Sequence, residues 1–253
     1  MGRHLKQTIY GSFYLVILFL VFGGFYLKFF KSAPTCFDNK KNQNEKGIDC
    51  GGSCKNICLP VTILDIKISE VKIFPLGSGN TTLFGVVENP NSDYAIKNFA
   101  FSFNIIKANA TSSQQIISGH SFIYSNEKAY LIFPNTDYQF SSGDKPDIAI
   151  DDLEWAKKEN FEKPILVIKD YEVVESEEGI KVEGSIFNDT FSNVSDVRIF
   201  AVFKNQYQKV VGASETSVNL KAKALANFTI FHPPIKEFRK ELTLIDFSTP
   251  PNN

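Results

Sequence analysis

Residues 180–204 read IKVEGSIFNDTFSNVSDVRIFAVFK, and the spacing of apolar residues in this stretch decides the fold. Val182, Gly184 and Ile186 recur at every second position and run into Asn188; Val197, Ile199, Ala201 and Phe203 do the same after a break. Period two is the signature of a strand, because successive side chains point to opposite faces. Asn188-Asp189-Thr190 closes the first series with residues that bond back onto their own backbone, so a turn is expected there. The pattern has an earlier counterpart. Leu83-x-Gly85-x-Val87-x-Asn89 matches Val182-x-Gly184-x-Ile186-x-Asn188, and Phe99, Phe101, Phe103 and Ile105 match Val197, Ile199, Ala201 and Phe203. Upstream, Ile66, Ile68, Val71 and Ile73 match Leu166, Ile168, Tyr171 and Val173. Downstream, Ile132 and Phe140 are matched with Leu220 and Phe228, and Lys107 to Ser118 forms a longer middle connection in the first copy.

Two copies of short alternating strands, each about 90 residues long, have the size and rhythm of immunoglobulin-like sandwiches. The expected fold is therefore all-β: two tandem immunoglobulin-like β-sandwiches at 61–150 and 164–247. One face of each strand is expected to be apolar and the other polar, as in antiparallel sheets that face water. Asp151 to Asn160 reads as one or two helical turns inside a linker at 151–163, with Pro164 opening the second copy and 248–253 left as a tail. Asn89 and Asn188 are read as turn residues rather than ligands.

The second copy resembles a known family. Val182-x-Gly184-x-Ile186-x-Asn188, then Val197-x-Ile199-x-Ala201-Val202-Phe203, then Lys209-Val210-Val211-Gly212 is similar to the FxLYD domain and to related late-embryogenesis-abundant type sandwiches. The resemblance covers roughly Ile165 to Phe231, with a weaker echo from Ile66 to Phe140. It departs at the signature, where Val202-Phe203-Lys204 stands for Leu-Tyr-Asp and Gln206-Tyr207 stands where a Gly is usual. The resemblance implies an extracytoplasmic interaction or spacer module without catalytic residues.

The rest of the chain says where such a body sits. Of 253 residues, 43% are hydrophobic and 22% charged, which excludes disorder of the whole. Lys plus Arg number 27 and Asp plus Glu 28, so no basic excess exists to meet phosphates, and no nucleic-acid partner is expected. Thr8 to Phe30 reads TIYGSFYLVILFLVFGGFYLKFF with Lys28 as its single charge. At ~1.5 Å per residue such a helix crosses the ~30 Å hydrocarbon core, and Tyr10, Tyr14 and Tyr26 fall where rings favour the headgroup level. A cleaved signal peptide is the rival, but Lys28 to Pro34 lacks a convincing A-x-A site. Residues 8–30 are read as an uncleaved anchor in membrane lipid, with 1–7 as a cytoplasmic tail.

Arg3 and Lys6 before the span nearly balance Lys28 and Lys31 after it, so charge does not settle the orientation. The cysteines do. Cys36, Cys50, Cys54 and Cys58 all lie in a stalk at 31–60, too polar to fold around an apolar core. Such a run needs cross-links, and disulfides need an oxidising compartment. Zinc is disfavoured because the C-x2-C knuckles of thiolate sites are missing. Two disulfides are expected, with all three pairings open, and Gly51-Gly52 permits a tight chain crossing. The pattern Cys36-x-Asp38-x3-Asn42-x2-Glu45-x3-Asp49-Cys50-Gly51-Gly52-x-Cys54 resembles a short cysteine-rich motif of bacterial and archaeal cell-surface proteins, with Asn39 where a Gly is common. Asp38, Asn42, Glu45 and Asp49 are hard oxygen ligands, so a calcium loop is the alternative to a merely polar one. No other cofactor is expected.

No G-x-S-x-G elbow, H-E-x-x-H or phosphate-binding glycine loop occurs. His120 and His232 read as turn or strand-edge residues, and Asp151-Asp152 and Glu177-Glu178 are adjacent pairs that point apart on a strand. An enzyme is not expected. Asn80, Asn109, Asn188, Asn193 and Asn227 each head a formal glycosylation sequon. The reading is a single-pass protein of the cell membrane, N-terminus inside, whose extracytoplasmic sandwiches bind or scaffold an unknown surface or envelope protein. The alternative is a structural subunit of an envelope complex assembled through its membrane helix.

Overall fold

The computed structural model describes residues 2–29, 34–59, 63–77, 79–108 and 112–251. It divides into two compact units, Met1–Cys58 and Leu59–Asn253. In the first, α1 runs Arg3–Phe29, starting five residues before the expected span. Its stretch Gln7–Tyr26 is long and apolar enough to cross a membrane, and none of that surface is buried in the protein. After it comes a cross-linked stalk whose described residues, 34–59, form no helix or extended strand.

Among the described residues of the second unit the regular structure is all strand apart from two short 3-10 turns. The first copy contributes β1 (Lys67–Pro75), β2 (Thr81–Glu88), β3 (Tyr94–Ile106), β4 (Ser113–Ile123), β5 (Lys128–Thr136) and β6 (Lys145–Lys157). The second contributes β7 (Leu166–Ser176), β8 (Gly179–Asn188), β9 (Val194–Lys204), β10 (Val210–Leu220), β11 (Leu225–His232) and β12 (Leu244–Ser248). Each copy makes two three-stranded sheets, β1-β2-β5 with β4-β3-β6 and β11-β8-β7 with β10-β9-β12. Every pairing is antiparallel. Between the sheets of the first copy lie Leu83, Val87, Phe99, Phe103, Ile105 and Leu131; between those of the second lie Val182, Ile186, Val197, Ile199, Phe203 and Phe228. These include most of the alternating residues expected from the sequence.

The duplication extends to irregularities. β1 bulges between Ile68 and Glu70, and β7 bulges between Ile168 and Asp170, at equivalent positions. Gly184 lies where a Cβ would come 2.5 Å from the Asp170 carbonyl oxygen and 2.6 Å from the Phe228 ring. Gly85, its counterpart, leaves room for Ile148 and Phe103 in the same way. The cross-strand partners of these two glycines are Leu131 and Phe228. That register corrects the expected match late in the repeat: Phe228 corresponds to Leu131, Phe140 lies beyond β5, and Leu220 ends β10, the counterpart of β4 rather than of β5.

Asn89 and Asn188 are turn residues as expected, and also tie strands together. Asn89 Nδ2 donates to the carbonyls of Tyr94 (2.7 Å) and Tyr124 (3.2 Å), while its Oδ1 accepts from the backbone and side-chain nitrogens of Asn91. Asn188 Nδ2 donates to the carbonyls of Ser192 (2.8 Å) and Lys221 (3.0 Å), and its Oδ1 accepts from Thr190 N and Oγ1. Each side chain thus joins the turn before its third strand to the end of its fourth.

Three further expectations are corrected. Asp151 to Lys157 is strand, the second half of β6, and only Lys158–Asn160 forms a turn of 3-10 helix. Pairing with β3, from Tyr94↔Lys157 to Ala100↔Asp151, holds this charged segment extended. The long connection of the first copy is shorter than expected because β4 already begins at Ser113. The tail also begins inside the fold: Ser248 closes β12, and buried Thr249 accepts a hydrogen bond from Tyr124 Oη at 2.8 Å.

The last correction concerns polarity. β2 and the middle of β9 are buried on both faces, not one. A third apolar layer lies between the copies, where Phe84, Val86 and Ile132 meet Phe200, Val202, Val210 and Ala213. The Tyr130 and Phe200 rings approach to 4.7 Å between centroids, and Lys72 Nζ donates to the Val210 carbonyl at 3.1 Å. The four sheets are therefore stacked in the order β4-β3-β6, β1-β2-β5, β10-β9-β12, β11-β8-β7.

Candidate functional site

The residues singled out in the stalk do converge. Cys36 is bonded to Cys54 and Cys50 to Cys58. The chain between them turns back on itself through left-handed residues Asn39, Gln43, Asn44 and Asp49, then Gly51 and Gly52. Gly52 is required: a Cβ there would lie 2.0 Å from the Asn44 carbonyl oxygen, besides a φ of +64°.

Asp38, Glu45 and Asp49 accept hydrogen bonds among these turns, and Asn42 donates one from its side-chain amide to Asp38. Asp49 takes the backbone N–H of Asp38 (3.1 Å) and Asn39 (2.9 Å). Buried Glu45 takes those of Asn42 (3.0 Å) and Asp49 (3.2 Å) through Oε2. Asp38 takes Lys40 N at 3.0 Å and Asn42 Nδ2 at 2.8 Å. Desolvation opposes the ionised form of Asp38, but the Asn42 amide, the N–H groups of Thr35 and Lys40 and the Lys40 charge together outweigh it and hold the carboxyl below its usual range. Cys36, Glu45 and Cys54 bring their ligand atoms within 4.8 Å of one another. Both sulfurs are spent in the disulfide, so they offer no thiolate to a metal. Asn42 Oδ1 is buried without a partner. As folded, the acids serve as acceptors that shape a loop with little other means of satisfying its amides.

In the sandwiches His120 is exposed on edge strand β4, and His232 likewise lies on an edge strand, β11, but its side chain is buried. It ends β11 at 3% exposure, its ring against Phe203 with centroids 5.2 Å apart. Nδ1 lies 2.7 Å from the Pro233 carbonyl, which fixes the proton there, and Nε2 is buried without a partner. Burial lowers its pKa, the Pro233 bond opposing only in part. Asp151, Asp152, Glu177 and Glu178 are all exposed.

Two adjoining clefts, of about 580 and 450 Å³, open beside the connection between the sandwiches. Lys97, Phe161, Pro164, Thr190 and Pro251 line the larger, and Phe122, Val194 and Pro250 help to line the smaller. Lys97 is paired with Glu154 at 2.9 Å, and Lys163 with Glu127 at 3.0 Å while lying 4.9 Å over the Phe247 ring. Among the described residues no imidazole or thiol lines either cleft. Of the sequons, Asn193 and Asn227 are exposed, Asn80 is half-buried, Asn188 is inaccessible, and Asn109 lies outside the described residues.

Sequence reasoning missed the residues that join the two sandwiches. The signal was present in Phe84-Gly85-Val86-Val87 and Ile199-Phe200-Ala201-Val202-Phe203, which are continuously apolar rather than alternating, as two-sided burial requires. No protein-family model matches the chain, and no curated protein matches it.

Proposed function

We propose that the chain is a single-pass, membrane-anchored extracytoplasmic protein, N-terminus in the cytoplasm, whose joined sandwiches bind or scaffold another protein at the cell surface without catalysis. The observation that carries this reading is the pairing, in one N-terminal unit, of an exposed helix of membrane-crossing length with four cysteines all in disulfides. An apolar helix with no residue of its Gln7–Tyr26 stretch buried favours lipid, and structural disulfides favour the oxidising side. The FxLYD-like character of residues 165–231 belongs to the same proposal and supports an interaction module.

Tyr207 is 70% exposed, so Tyr207→Cys adds an accessible thiol without touching a core. In intact cells a membrane-impermeant maleimide is expected to label it before permeabilisation. Labelling only after permeabilisation overturns the orientation. In-membrane crosslinking then identifies the partner. A partner lost when residues 8–30 are replaced by an unrelated span makes the chain a helix-assembled subunit instead.

A further inference from the structure

The strands of the second unit end at two opposite edges, and the chain enters at one of them. Leu64 N donates to Asn91 Oδ1 at 2.8 Å and Asn91 Nδ2 donates back to the Leu64 carbonyl at 2.8 Å, fixing the entry beside the β2–β3 turn. The same edge carries the connection at 158–165, the β8–β9 turn and the start of β11. It also carries exposed apolar side chains: Phe191 at 89%, Ile165 at 64%, Leu64 at 57% and Leu225 at 56%. Single exposed apolar residues are ordinary, but here they cluster on connections at one edge.

Phe191 is held out rather than left loose. Asn188 Nδ2 donates to the Ser192 carbonyl and the Ser192 N–H donates to Thr190 Oγ1, closing the turn on either side of Phe191. Lys223 Nζ supports the ring from 4.4 Å and is itself paired with Asp189 at 2.5 Å. Ile165 is tied to the same turn through its carbonyl, which accepts from Asp189 N at 2.9 Å.

We propose that this edge beds into the interface of a neutral, phosphocholine-type bilayer, with Phe191 as its deepest residue, Ile165 beside it and Leu64 farther along the same edge. The inference rests on the membrane-anchored reading above. Two observations select a bilayer. Leu64 follows Tyr26, the last residue of the apolar span, by fewer than forty residues, so the chain that enters at this edge leaves the span only a short way upstream. Three lysines of this edge are held in ion pairs, Lys223 with Asp189, Lys163 with Glu127 and Lys97 with Glu154. With these charges paired and aromatic and aliphatic tips outward, attraction comes from apolar insertion at headgroup depth more than from anionic lipid.

The test uses the full chain carrying Phe191→Trp and Trp155→Phe, reconstituted in phosphatidylcholine vesicles with or without bromine on the acyl chains. Emission from position 191 is expected to fall at least twofold in brominated vesicles and to resist aqueous iodide. A control with Tyr207→Trp, at the opposite edge, is expected to be unquenched by bromine and open to iodide. A chain that floats with the vesicles but shows no bromine quenching at 191 overturns the proposal, as does quenching that appears only with anionic lipid. Protection from iodide without bromine quenching, the mark of a protein partner on this edge, also overturns it. A chain that fails to float after an alkaline wash overturns the anchored reading instead. If the Trp155 replacement does not fold, Phe191→Cys with an environment-sensitive dye and Trp155 retained gives the same readout.

Discussion

Asn89 and Asn188 make the same set of bonds in two sandwiches whose core residues are otherwise different, at 2% and 0% exposure. Replacing Asn188 by Ala removes the side-chain partner of the Ser192 and Lys221 carbonyls and of the Thr190 N–H, all in part-buried bonds. Leaving such groups unpaired costs ~1–3 kcal/mol each before relaxation, so a loss of about 2–4 kcal/mol is expected in urea unfolding. Asn188→Asp is expected to cost more, because a carboxylate would face two carbonyl oxygens. At the other end of the second sandwich, His232 makes stability depend on pH. Its folded pKa lies below the ordinary imidazole value, so the unfolded chain takes up the proton first. Its contribution to stability is full above the unfolded pKa of ~6.5, is lost as pH falls below it, and stops changing below the folded pKa. Glu215 is shifted up by burial, which gives the opposite slope at lower pH. Comparing the native chain with His232→Phe cancels that contribution, and the variant is expected to show a flatter stability between pH 7.5 and 5.5. Equal slopes in the two proteins would remove His232 from the account.

Among elements, the stalk and β6 differ in how far they could be read. The stalk closes loops of different size, with sequence separations of 18 for Cys36–Cys54 and 8 for Cys50–Cys58. Chain entropy makes the longer bridge worth more by about 0.7 kcal/mol. Replacing Cys36 and Cys54 by Ser is therefore expected to speed amide exchange at Glu45 and Asp49 more than replacing Cys50 and Cys58. Reductant is expected to release these amides, and a calcium chelator to leave them protected; the reverse result would make Asp38, Asn42, Glu45 and Asp49 ligands first and loop supports second. The need for cross-links, the positive φ at Asn39 and the glycine pair were legible from residue type alone. The pairing was not, since three connectivities fit one spacing. β6 misled for a different reason. Asp151-Asp-Leu-Glu-Trp-Ala-Lys-Lys has the mixed charge of a surface helix, and its extended form comes from partners in β3 that no local pattern reveals. The repeat itself was legible because period two is local, whereas its last strands were matched one element out of step, where Phe140 took the place of Leu131.

For the whole molecule the decisive feature is the layer between the sandwiches. Two domains on a string would each expose one polar face of every sheet. Here β1-β2-β5 and β10-β9-β12 present Phe84, Val86 and Ile132 to Phe200, Val202 and Ala213, and neither sheet could keep those residues in water without cost. Fully burying side chains of this kind is worth ~1.5–3 kcal/mol each, so separating the sandwiches forfeits a sum comparable to the net stability of a domain, ~5–15 kcal/mol. Lys163 and Thr249 add polar ties across the same junction, through Glu127 and Phe247 and through Tyr124. The two copies are therefore expected to unfold as one cooperative unit. Trp155, in the first sandwich, reports its loss by fluorescence, and amide exchange in β8 reports that of the second; their denaturant midpoints are expected to coincide. Phe200→Asp places a charge in the shared layer without touching either inner core, and is expected to split the single transition into two. Two separate transitions in the native chain would show that the layer does not couple the sandwiches, and the body would then act as two hinged modules rather than one rigid platform.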